Sequence, residues 1–338
     1  MLTPTALGLT ALDPALSVHL EATIAAAGGC TEPWLDGGLR PLLARPGKRL
    51  RPALVFAVAA CGPETDKVAA INCAASLELM HLSSLIHDDL MDEADTRGGL
   101  PTLHKSIGPG GAIVGGDYLL AVGGGLAAEV SAQAAVVWQR TYADLCLGQA
   151  SETANRYRTD TTTADYLAVV RGKTAALMSA ACRLGALCGG MAPAHVEACA
   201  EFGEAFGVVF QLVDDLMDVF STDELWAKPV AQDVPNGVYT ACVLAALDLA
   251  TDDDGGRLRD LLGPAMTAAE VDRVYDHVRR VGIDFAVDLI DRYADRAREA
   301  LGALPPSLRI ATLAELPKRY LRTVVRSKVD PRFDLCVS

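Results

Sequence analysis

The sequence predicts an all-α fold, and three observations carry that prediction. Hydrophobic residues make up 51% of the chain, whereas aromatic residues make up only 5%. Helical periodicity recurs in about ten segments that Gly, Pro or Asp residues separate, and no segment alternates convincingly at a period of two residues. Alanine-rich windows favour packed helices, because alanine and leucine lose little on entering a helix. Since no compositional break interrupts the 338 residues, we predict a single domain, residues 1–338.

The bulk properties exclude several classes of protein. A formal net charge of −13 argues against nucleic acid as a partner, because phosphate backbones are bound by a surplus of Lys and Arg. Nine scattered cysteines without a C-x-x-C pair predict reduced thiols and a cytoplasmic protein. Asp13-Pro14 interrupts an N-terminus that lacks a basic region, so we expect no signal peptide. Ile107–Ala128 is long enough to span a membrane, but its glycines and Asp117 favour a buried core helix.

Two long helices are predicted to end in clusters of acid. The first begins near Thr65 and Asp66, which are candidate caps, and runs to Asp95. The second covers roughly Ala194 to Phe220. The sequence Asp-Asp-Leu-Met-Asp closes both helices, at 88–92 and at 214–218, but the flanking residues do not repeat. We therefore interpret the two clusters as one constellation used twice, in a chain that is not a repeat protein.

Each acidic cluster places two carboxylates on one helix face, because residues four apart differ by roughly 40° of rotation. The pairs are Asp88 with Asp92 and Asp214 with Asp218. A single pair of this kind is a solvated helix end or a helix cap as often as it is a metal site. Acids that close two apolar helices, however, repel one another unless cations are bound. Oxygen-only ligands indicate Mg²⁺, which usually shares its coordination shell with substrate phosphates. A general acid and base, as in glycoside hydrolysis, would not explain the duplication.

A diphosphate site in an acidic chain needs local positive charge. The densest candidate is Gly-Lys-Arg-Leu-Arg-Pro at 47–52, although basic runs near a helix start are usually solvated. His81 lies seven residues before Asp88 and therefore on nearly the same helix face. Lys173 is flanked by apolar residues, so its ammonium group either reaches solvent or faces an anion. The further polar candidates are Arg97, Thr174, Gln211 and Lys228.

These motifs occur in the order found in the trans-isoprenyl diphosphate synthases, or polyprenyl synthases, and the chain resembles that family from about Gly37 to about Leu301. The resemblance implies the isoprenoid synthase fold, an antiparallel helical bundle around a central elongated substrate cavity, and a homodimer. It implies that Lys48, Arg51 and His81 bind isopentenyl diphosphate. The two acidic helix ends are then expected to face each other and to bind three Mg²⁺ ions around the allylic diphosphate.

The resemblance also assigns roles to single residues. The implied metal ligands are Asp88, Asp92, Asp214 and Asp218. The positions that contact the allylic diphosphate or lie near its cation are Arg97, Lys173, Thr174, Gln211 and Lys228. Within that set, Lys173, Thr174 and Gln211 are the candidate catalytic residues.

The implied reaction is prenyl transfer: allylic diphosphate ionises, the C=C bond of isopentenyl diphosphate attacks the carbocation, and a proton is lost. Ser83 and Ser84 lie one turn before Asp88, where shorter-chain synthases place an aromatic plug. Their small size predicts a product of at least C20. Leu79 and Met80, one turn deeper, could close the pocket near C20 to C25, together with residues of other helices such as Leu119 and Leu120.

Two departures from the family pattern lower the positive charge. The family usually has Arg-Arg-Gly where this chain has Arg97 followed by Gly98-Gly99, and many members have Gly-Lys at Gly237-Val238. Weakened acceptor binding would make the chain a terpene synthase or another modified prenyltransferase on the same fold, although Lys48, Arg51 and His81 argue against that. A non-catalytic regulatory subunit is disfavoured because both acidic motifs are intact.

Overall fold

The computed structural model describes residues 4–9, 14–45, 47–226, 229–249 and 258–333, and all structural statements concern these residues. Apart from one two-stranded hairpin, the regular secondary structure of the described residues is helical. The helices before residue 160 are α1 Pro14–Gly28, α2 Pro33–Leu43, α3 Leu50–Ala59, α4 Lys67–Met91, α5 Leu103–Val130 and α6 Ala132–Asn155. The later helices are α7 Thr163–Val170, α8 Ala176–Cys188, α9 Pro193–Phe220, α10 Asp223–Trp226, α11 Ala241–Leu249, α12 Ala268–Val281, α13 Ile283–Leu301, α14 Leu308–Ala314 and α15 Leu316–Lys328.

Both helices that carry the acidic clusters form close to their predicted bounds. α4 begins after Asp66, whose carboxylate caps the helix by accepting a hydrogen bond from the Ala69 N–H at 2.9 Å. Thr65, the other candidate cap, instead donates its hydroxyl to the Ala59 carbonyl. α4 ends at Met91, earlier than the predicted Asp95. α9 matches its prediction to within one residue at its start.

The chain divides into two compact units. The first consists of residues 1–143, 177–200 and 303–313. Its central helix α4 packs against α1, α3 and α5, and α4 side chains such as Met80 are fully buried. A Cβ atom on Gly185 of α8 would lie 2.5 Å from the Val55 carbonyl oxygen, so only glycine permits this approach of α8 to α3.

The second unit consists of residues 144–176, 201–302 and 314–338. In it, α11 packs against α12 and α13, and α13 packs against α15. Phe206 and Phe210 of α9 contact Tyr320 of α15, with ring centroids 6.0 and 5.1 Å apart. These aromatic contacts hold α9 to the C-terminal helix. The single domain expected from composition stays a prediction.

A small hairpin follows α4. Strand β1 (Thr96–Arg97) pairs antiparallel with β2 (Leu100–Pro101), and Arg97 lies opposite Leu100. Gly98 and Gly99 form the turn with φ values of +55° and +82°. Positive φ at both central residues is what tight two-residue hairpins need, and glycine adopts it without strain. Strands this short leave no period-two signal, so the sequence did not predict them.

Two helices, α4 and α5, are long and apolar enough to cross a membrane by length and composition. In the described part of the chain, 61% of the most apolar 18-residue stretch of α4 is buried, and 44% of the corresponding stretch of α5 is buried. Core helices pass the same test, so this result is weak evidence for a membrane span. On α5, Leu119 and Leu120 are buried as expected of a core helix, whereas Ile113 and Val114 are exposed.

The eight described cysteines are free thiols, as predicted. Most are buried or half-buried, but Cys146 is exposed. Cys73 Sγ of α4 and Cys188 Sγ of α8 lie 3.8 Å apart.

Candidate active site

The first acidic cluster closes α4, in the first unit. Asp88 is half-buried, and Asp92, just after the last helical residue, is exposed. The Asp92 N–H donates to the Asp88 carbonyl at 2.9 Å, which continues the helical turn and keeps both residues on one face. Asp89 is buried and accepts a hydrogen bond from Arg97 Nε at 2.7 Å. Burial raises the pKa of Asp89, and the Arg97 guanidinium opposes that shift.

The second acidic cluster lies in the last turns of α9, in the second unit. Asp215 is buried, and it accepts hydrogen bonds from the Tyr166 hydroxyl and, at 2.8 Å, from Gln211 Nε2. Burial raises the pKa of Asp215 to about 7, although both hydrogen bonds act in the opposite direction. Asp214 is half-buried.

Asp218 of the same cluster is engaged by three donors. Its carboxylate accepts from the Tyr275 hydroxyl at 2.5 Å, from the Gln232 N–H at 2.9 Å and from the Asp233 N–H at 3.3 Å. These bonds tie the loop that follows α10 to α9 and to α12. Asp218 therefore stabilises the second unit by fixing this loop, a role that the sequence motif did not predict.

The acidic residues suit a hard divalent cation. Asp88, Asp92 and Asp214 supply only oxygen, which favours Mg²⁺ over Zn²⁺. Within the described ranges, no group of three or more His, Cys, Asp or Glu side chains is arranged to hold a metal by itself. Mg²⁺ usually takes one or two carboxylates and completes its shell with water and substrate phosphates. The oxygen donors of either cluster, each taken by itself, would suit a magnesium ion that arrives with a diphosphate.

A cationic cluster lies in the first unit, around His81 of α4. Burial, together with the charges of Arg51, Arg97 and Arg49, holds the pKa of His81 well below its usual value. The imidazole is therefore neutral at physiological pH. Arg51 Nε is buried and has no hydrogen-bond partner among the residues that the structure describes. Lys48, the third predicted acceptor-site residue, is exposed just before α3.

Arg49 was not among the predicted site residues, yet the fold gives it a central place. Its guanidinium donates to Glu78 at 2.6 Å and to both carboxylate oxygens of Glu21 at 2.7 Å. Arg49 and Glu78 are both buried. The ion pairs hold α1 and α4 against the basic segment, so one arginine of the motif is structural. Glu21 and Glu78 lie far from Arg49 in sequence, which is why no local pattern predicted them.

Lys173 and Thr174 lie in a π-helical turn, Arg171–Ala175, between α7 and α8. Lys173 Nζ lies 2.6 Å from Glu152 Oε1, so its charge is paired within the protein. The Thr174 hydroxyl donates to Gln211 Oε1 at 2.7 Å. The π-helical turn thus carries two candidate catalytic residues, Lys173 and Thr174. Thr174 contacts the third, Gln211, whose amide also contacts Asp215 of the second acidic cluster. Glu152 is a further site residue that the sequence did not indicate.

The close approach of α6 to the π-helical turn depends on glycine. A Cβ atom on Gly148 would lie 2.5 Å from the Lys173 nitrogen, and one on Gly172 would lie 2.9 Å from the Asp144 carbonyl oxygen. Without side chains at both positions, α6 can place Glu152 against Lys173. Widened turns of this kind often occur at functional sites.

The remaining predicted positions are placed as follows. Arg97 is half-buried on the hairpin, and Gly98, where the family usually carries arginine, is a turn residue. Gly237 has a φ of +74°, and a Cβ atom there would contact the Tyr157 ring at 2.7 Å. Val238 follows it and is half-buried. Lys228, predicted to contact the allylic substrate, lies outside the described residues.

Comparison with known proteins identifies the family. The polyprenyl synthetase family model matches residues 32–278. A nonaprenyl diphosphate synthase of Mycobacterium tuberculosis is 38% identical over 261 residues, which are 77% of this chain and 78% of that protein. A geranylgeranyl diphosphate synthase of the same organism is 36% identical over 284 residues, 82% of this chain and 80% of that protein.

A solved structure of the same family also matches the fold of this chain. The geranylgeranyl pyrophosphate synthase from Corynebacterium glutamicum, complexed with calcium and isoprenyl diphosphate, matches with a TM-score of 0.80 and 32% identity. The match covers 92% of this chain and 96% of that one. The predicted all-α isoprenoid synthase fold is confirmed. By its motifs, its fold and these relatives, the chain belongs to the polyprenyl synthetase family.

Proposed function

We propose that the chain condenses an allylic diphosphate with isopentenyl diphosphate to form an all-trans prenyl diphosphate of C20 or somewhat longer. Relatives named as geranylgeranyl and nonaprenyl diphosphate synthases support this activity and product range. The structural observation that carries the proposal is the cationic cluster around neutral His81, in which Arg51 has a buried nitrogen without a partner in the described part of the chain. An anion such as the acceptor diphosphate would satisfy that group.

On the acceptor side, Lys48 and Arg51 bind the diphosphate of isopentenyl diphosphate. His81 adds a hydrogen bond from a neutral ring, because its low pKa keeps it from adding another positive charge. The exposure of Lys48 suits a residue that meets the substrate from solvent, whereas half-buried Arg51, whose Nε is buried, would bind it more rigidly. Together they orient the C=C bond of the acceptor towards the allylic carbon.

On the allylic side, Arg97, Lys173 and Lys228 are proposed to bind the leaving diphosphate. The Gln211 amide is held at both ends, because its oxygen accepts from Thr174 and its nitrogen donates to Asp215. A dipole fixed in this way can stabilise charge without reorganising. We assign Thr174 and Gln211 to the region where the carbocation forms, with Lys173 oriented by Glu152.

The reaction breaks the allylic C–O bond, and its electron pair leaves with the diphosphate. The acceptor C=C bond then forms the new C–C bond, and the released diphosphate takes the proton lost from the acceptor carbon. Asp88 and Asp92 of the first cluster, and Asp214 and Asp218 of the second, would hold the Mg²⁺ ions, three by the family resemblance, and these ions would supply positive charge for the leaving diphosphate when bound. Calcium in the Corynebacterium glutamicum structure supports a divalent cation in this family.

The direct test is an incubation of the purified protein with an allylic diphosphate and Mg²⁺, with and without isopentenyl diphosphate. We expect chain elongation only when the acceptor is present. A hydrocarbon or alcohol formed without the acceptor would instead support the terpene synthase that Gly98 and Val238 leave open. Chelation of the metal should abolish elongation, and activity that persists in the chelator would contradict the Mg²⁺ proposal.

The product length can be tested on α4. Ser84 is half-buried, whereas Ser83, Leu79 and Met80 are fully buried. Of these four residues, Ser84 is therefore the best placed to contact a growing prenyl chain. We expect Ser84→Phe to shorten the main product to below C20, because an aromatic ring would block the pocket one turn before Asp88. Ser84→Ala is the matched control and should keep the wild-type product. An unchanged product in Ser84→Phe would remove this residue from the pocket wall.

We further propose that the enzyme is a cytoplasmic homodimer. Free thiols at all described cysteines support a reducing compartment. Exposed apolar residues on α5 and α6, including Ile113, Val114 and Val136, support a covered surface in the assembly. Light scattering on the purified protein tests the dimer, and fractionation of the producing cells tests the location.

A further inference from the structure

Arg45 connects the segment after α2 to the hairpin after α4. Its Nη1 donates to the Arg97 carbonyl at 2.6 Å. A Cβ atom on residue 98 would coincide with the Arg45 guanidinium, so this group lies where a side chain at position 98 would begin. Glycine at 98 therefore does more than allow a φ of +55° in the turn. It leaves room for a cation that arrives from a different segment of the chain.

No carboxylate of the described residues pairs with the charge of Arg45. Arg49 pairs with Glu21 and Glu78, and Arg97 pairs with Asp89. Arg45, in contrast, makes no ion pair with any described residue, and its side chain donates only to the Arg97 carbonyl. A half-buried guanidinium has five N–H donors, so most of the donors of Arg45 remain available to a ligand.

Arg45 also borders the cationic cluster around His81. Arg49 Nη2 donates to the Arg45 carbonyl at 3.5 Å, and the Arg45 side chain contacts the backbone of Arg97. The charges of Arg49 and Arg97, with that of Arg51, act on His81. In this neighbourhood Arg49 and Arg97 are paired with carboxylates, whereas Arg45 and Arg51 make no ion pair with a described residue. In a chain of net charge −13, two such unpaired guanidinium groups in one region indicate an anion site.

We infer that Arg45 binds the diphosphate of isopentenyl diphosphate and supplies, from the segment after α2, the guanidinium that is missing at Gly98. The inference rests on the proposed function and deepens it by one residue. It also explains how the chain keeps an acceptor site despite the Gly98 departure. Arg45 is thus an acceptor-binding residue that depends on glycine at 98.

The test is steady-state elongation kinetics of Arg45→Ala, with each substrate varied in turn. We expect the KM for isopentenyl diphosphate to rise about ten- to hundredfold, the usual effect of losing a charge-assisted hydrogen bond. The KM for the allylic diphosphate should stay within about twofold, and kcat should change little. Arg40→Ala is the matched control, because Arg40 lies in α2, just before the segment of Arg45, with a side chain that is 74% exposed.

Two further variants separate binding from structure. Gly98→Ala places a methyl group where the Arg45 guanidinium lies, so it should raise the KM for isopentenyl diphosphate as Arg45→Ala does. The double variant Arg45→Ala/Gly98→Arg moves the guanidinium from one segment to the other and should recover most of the lost affinity. If the arginine merely supports the Arg97 carbonyl, the double variant will not recover affinity, and the KM for the allylic diphosphate will rise instead. Either result would overturn the inference.

Failure of the inference and failure of the proposed function give different results. Elongation by wild type with an unchanged KM for isopentenyl diphosphate in Arg45→Ala refutes the inference alone. Absence of elongation in wild type refutes the proposed function. In that case, calorimetric titration with inorganic diphosphate still tests Arg45, because the variant should then bind the anion at least about tenfold more weakly than wild type. Equal binding would overturn the role of Arg45 as an anion-binding residue.

Discussion

The two acidic clusters have the same five residues but different surroundings. At the end of α4, the middle carboxylate, Asp89, is paired with the positive charge of Arg97, and the last one, Asp92, is exposed. At the end of α9, the middle carboxylate, Asp215, is held by an uncharged hydroxyl and an amide, and the last one, Asp218, accepts three hydrogen bonds. The middle carboxylate of the motif is therefore stabilised by a cation in the first unit and by uncharged hydrogen-bond donors in the second.

This difference shows that a repeated motif does not repeat the roles of its members. In both clusters the middle aspartate is buried and engaged by its own unit, whereas the first aspartate, Asp88 or Asp214, is half-buried and is a predicted metal ligand in both clusters. The last aspartate differs, because Asp92 faces solvent while Asp218 fixes a loop. Four predictions test this contrast.

The largest effect is expected at the first aspartate of each cluster. Asp88→Asn and Asp214→Asn should each lower kcat by about 10²–10³-fold, since each removes a charge proposed to bind metal at the leaving group. Elongation kinetics at saturating Mg²⁺ measure this. Asp272→Asn, at an exposed position of α12, is the control and should behave as wild type. Near-normal activity in either cluster variant would show that this cluster does not bind the catalytic metal.

The last aspartates should separate stability from activity. Asp218→Ala leaves two backbone N–H groups and the Tyr275 hydroxyl without their acceptor, so we expect the free energy of unfolding to fall by about 2–3 kcal/mol. Asp92→Ala should change it by less than about 0.5 kcal/mol, as exposed substitutions usually do. Denaturant unfolding of the metal-free proteins compares them. Equal losses of stability would contradict the distinction between the clusters.

The Tyr166 hydroxyl, which donates to Asp215, should contribute more to the free energy of unfolding than an ordinary tyrosine hydroxyl. Tyr166→Phe removes a donor from a buried carboxyl, and we expect a loss of about 1–2 kcal/mol in unfolding free energy. The comparison is Tyr118→Phe, which removes a bond of 2.6 Å to the Gly29 carbonyl, where a smaller loss is expected because that acceptor is uncharged and less buried. Thermal and denaturant unfolding provide the measurement. A larger loss at Tyr118 would argue against dipolar support of Asp215.

The smallest effect is expected near the solvent-facing first cluster. Lys105 and Asp95 form an ion pair at 2.8 Å, with 45% and 82% of their side chains exposed. Lys105→Ala should leave the midpoint of denaturant unfolding unchanged within experimental error, because water and salt screen such pairs. A clear fall of the midpoint would show that this region is less solvated than its exposure indicates.

Much of the fold could be predicted because its signals are local. The 3.6-residue periodicity, the cap at Asp66 and the acids that close α4 and α9 all lie within the segments they define. The π-helical turn at Lys173 could not be predicted in this way, because it depends on the glycine-mediated approach of α6. The hairpin at Arg97 was missed because two-residue strands have no period to detect.

The sequence by itself determined the helical class, the family, the duplicated acidic motif and the basic segment, because each of these is a pattern of neighbouring residues. Tertiary structure alone decided which charge meets which. It paired Arg49 with Glu21 and Glu78, Lys173 with Glu152, and placed the Arg45 guanidinium over Gly98. These partners lie up to tens of residues apart, and only the packing of helices, which buries apolar faces wherever they occur, brings them within hydrogen-bond distance.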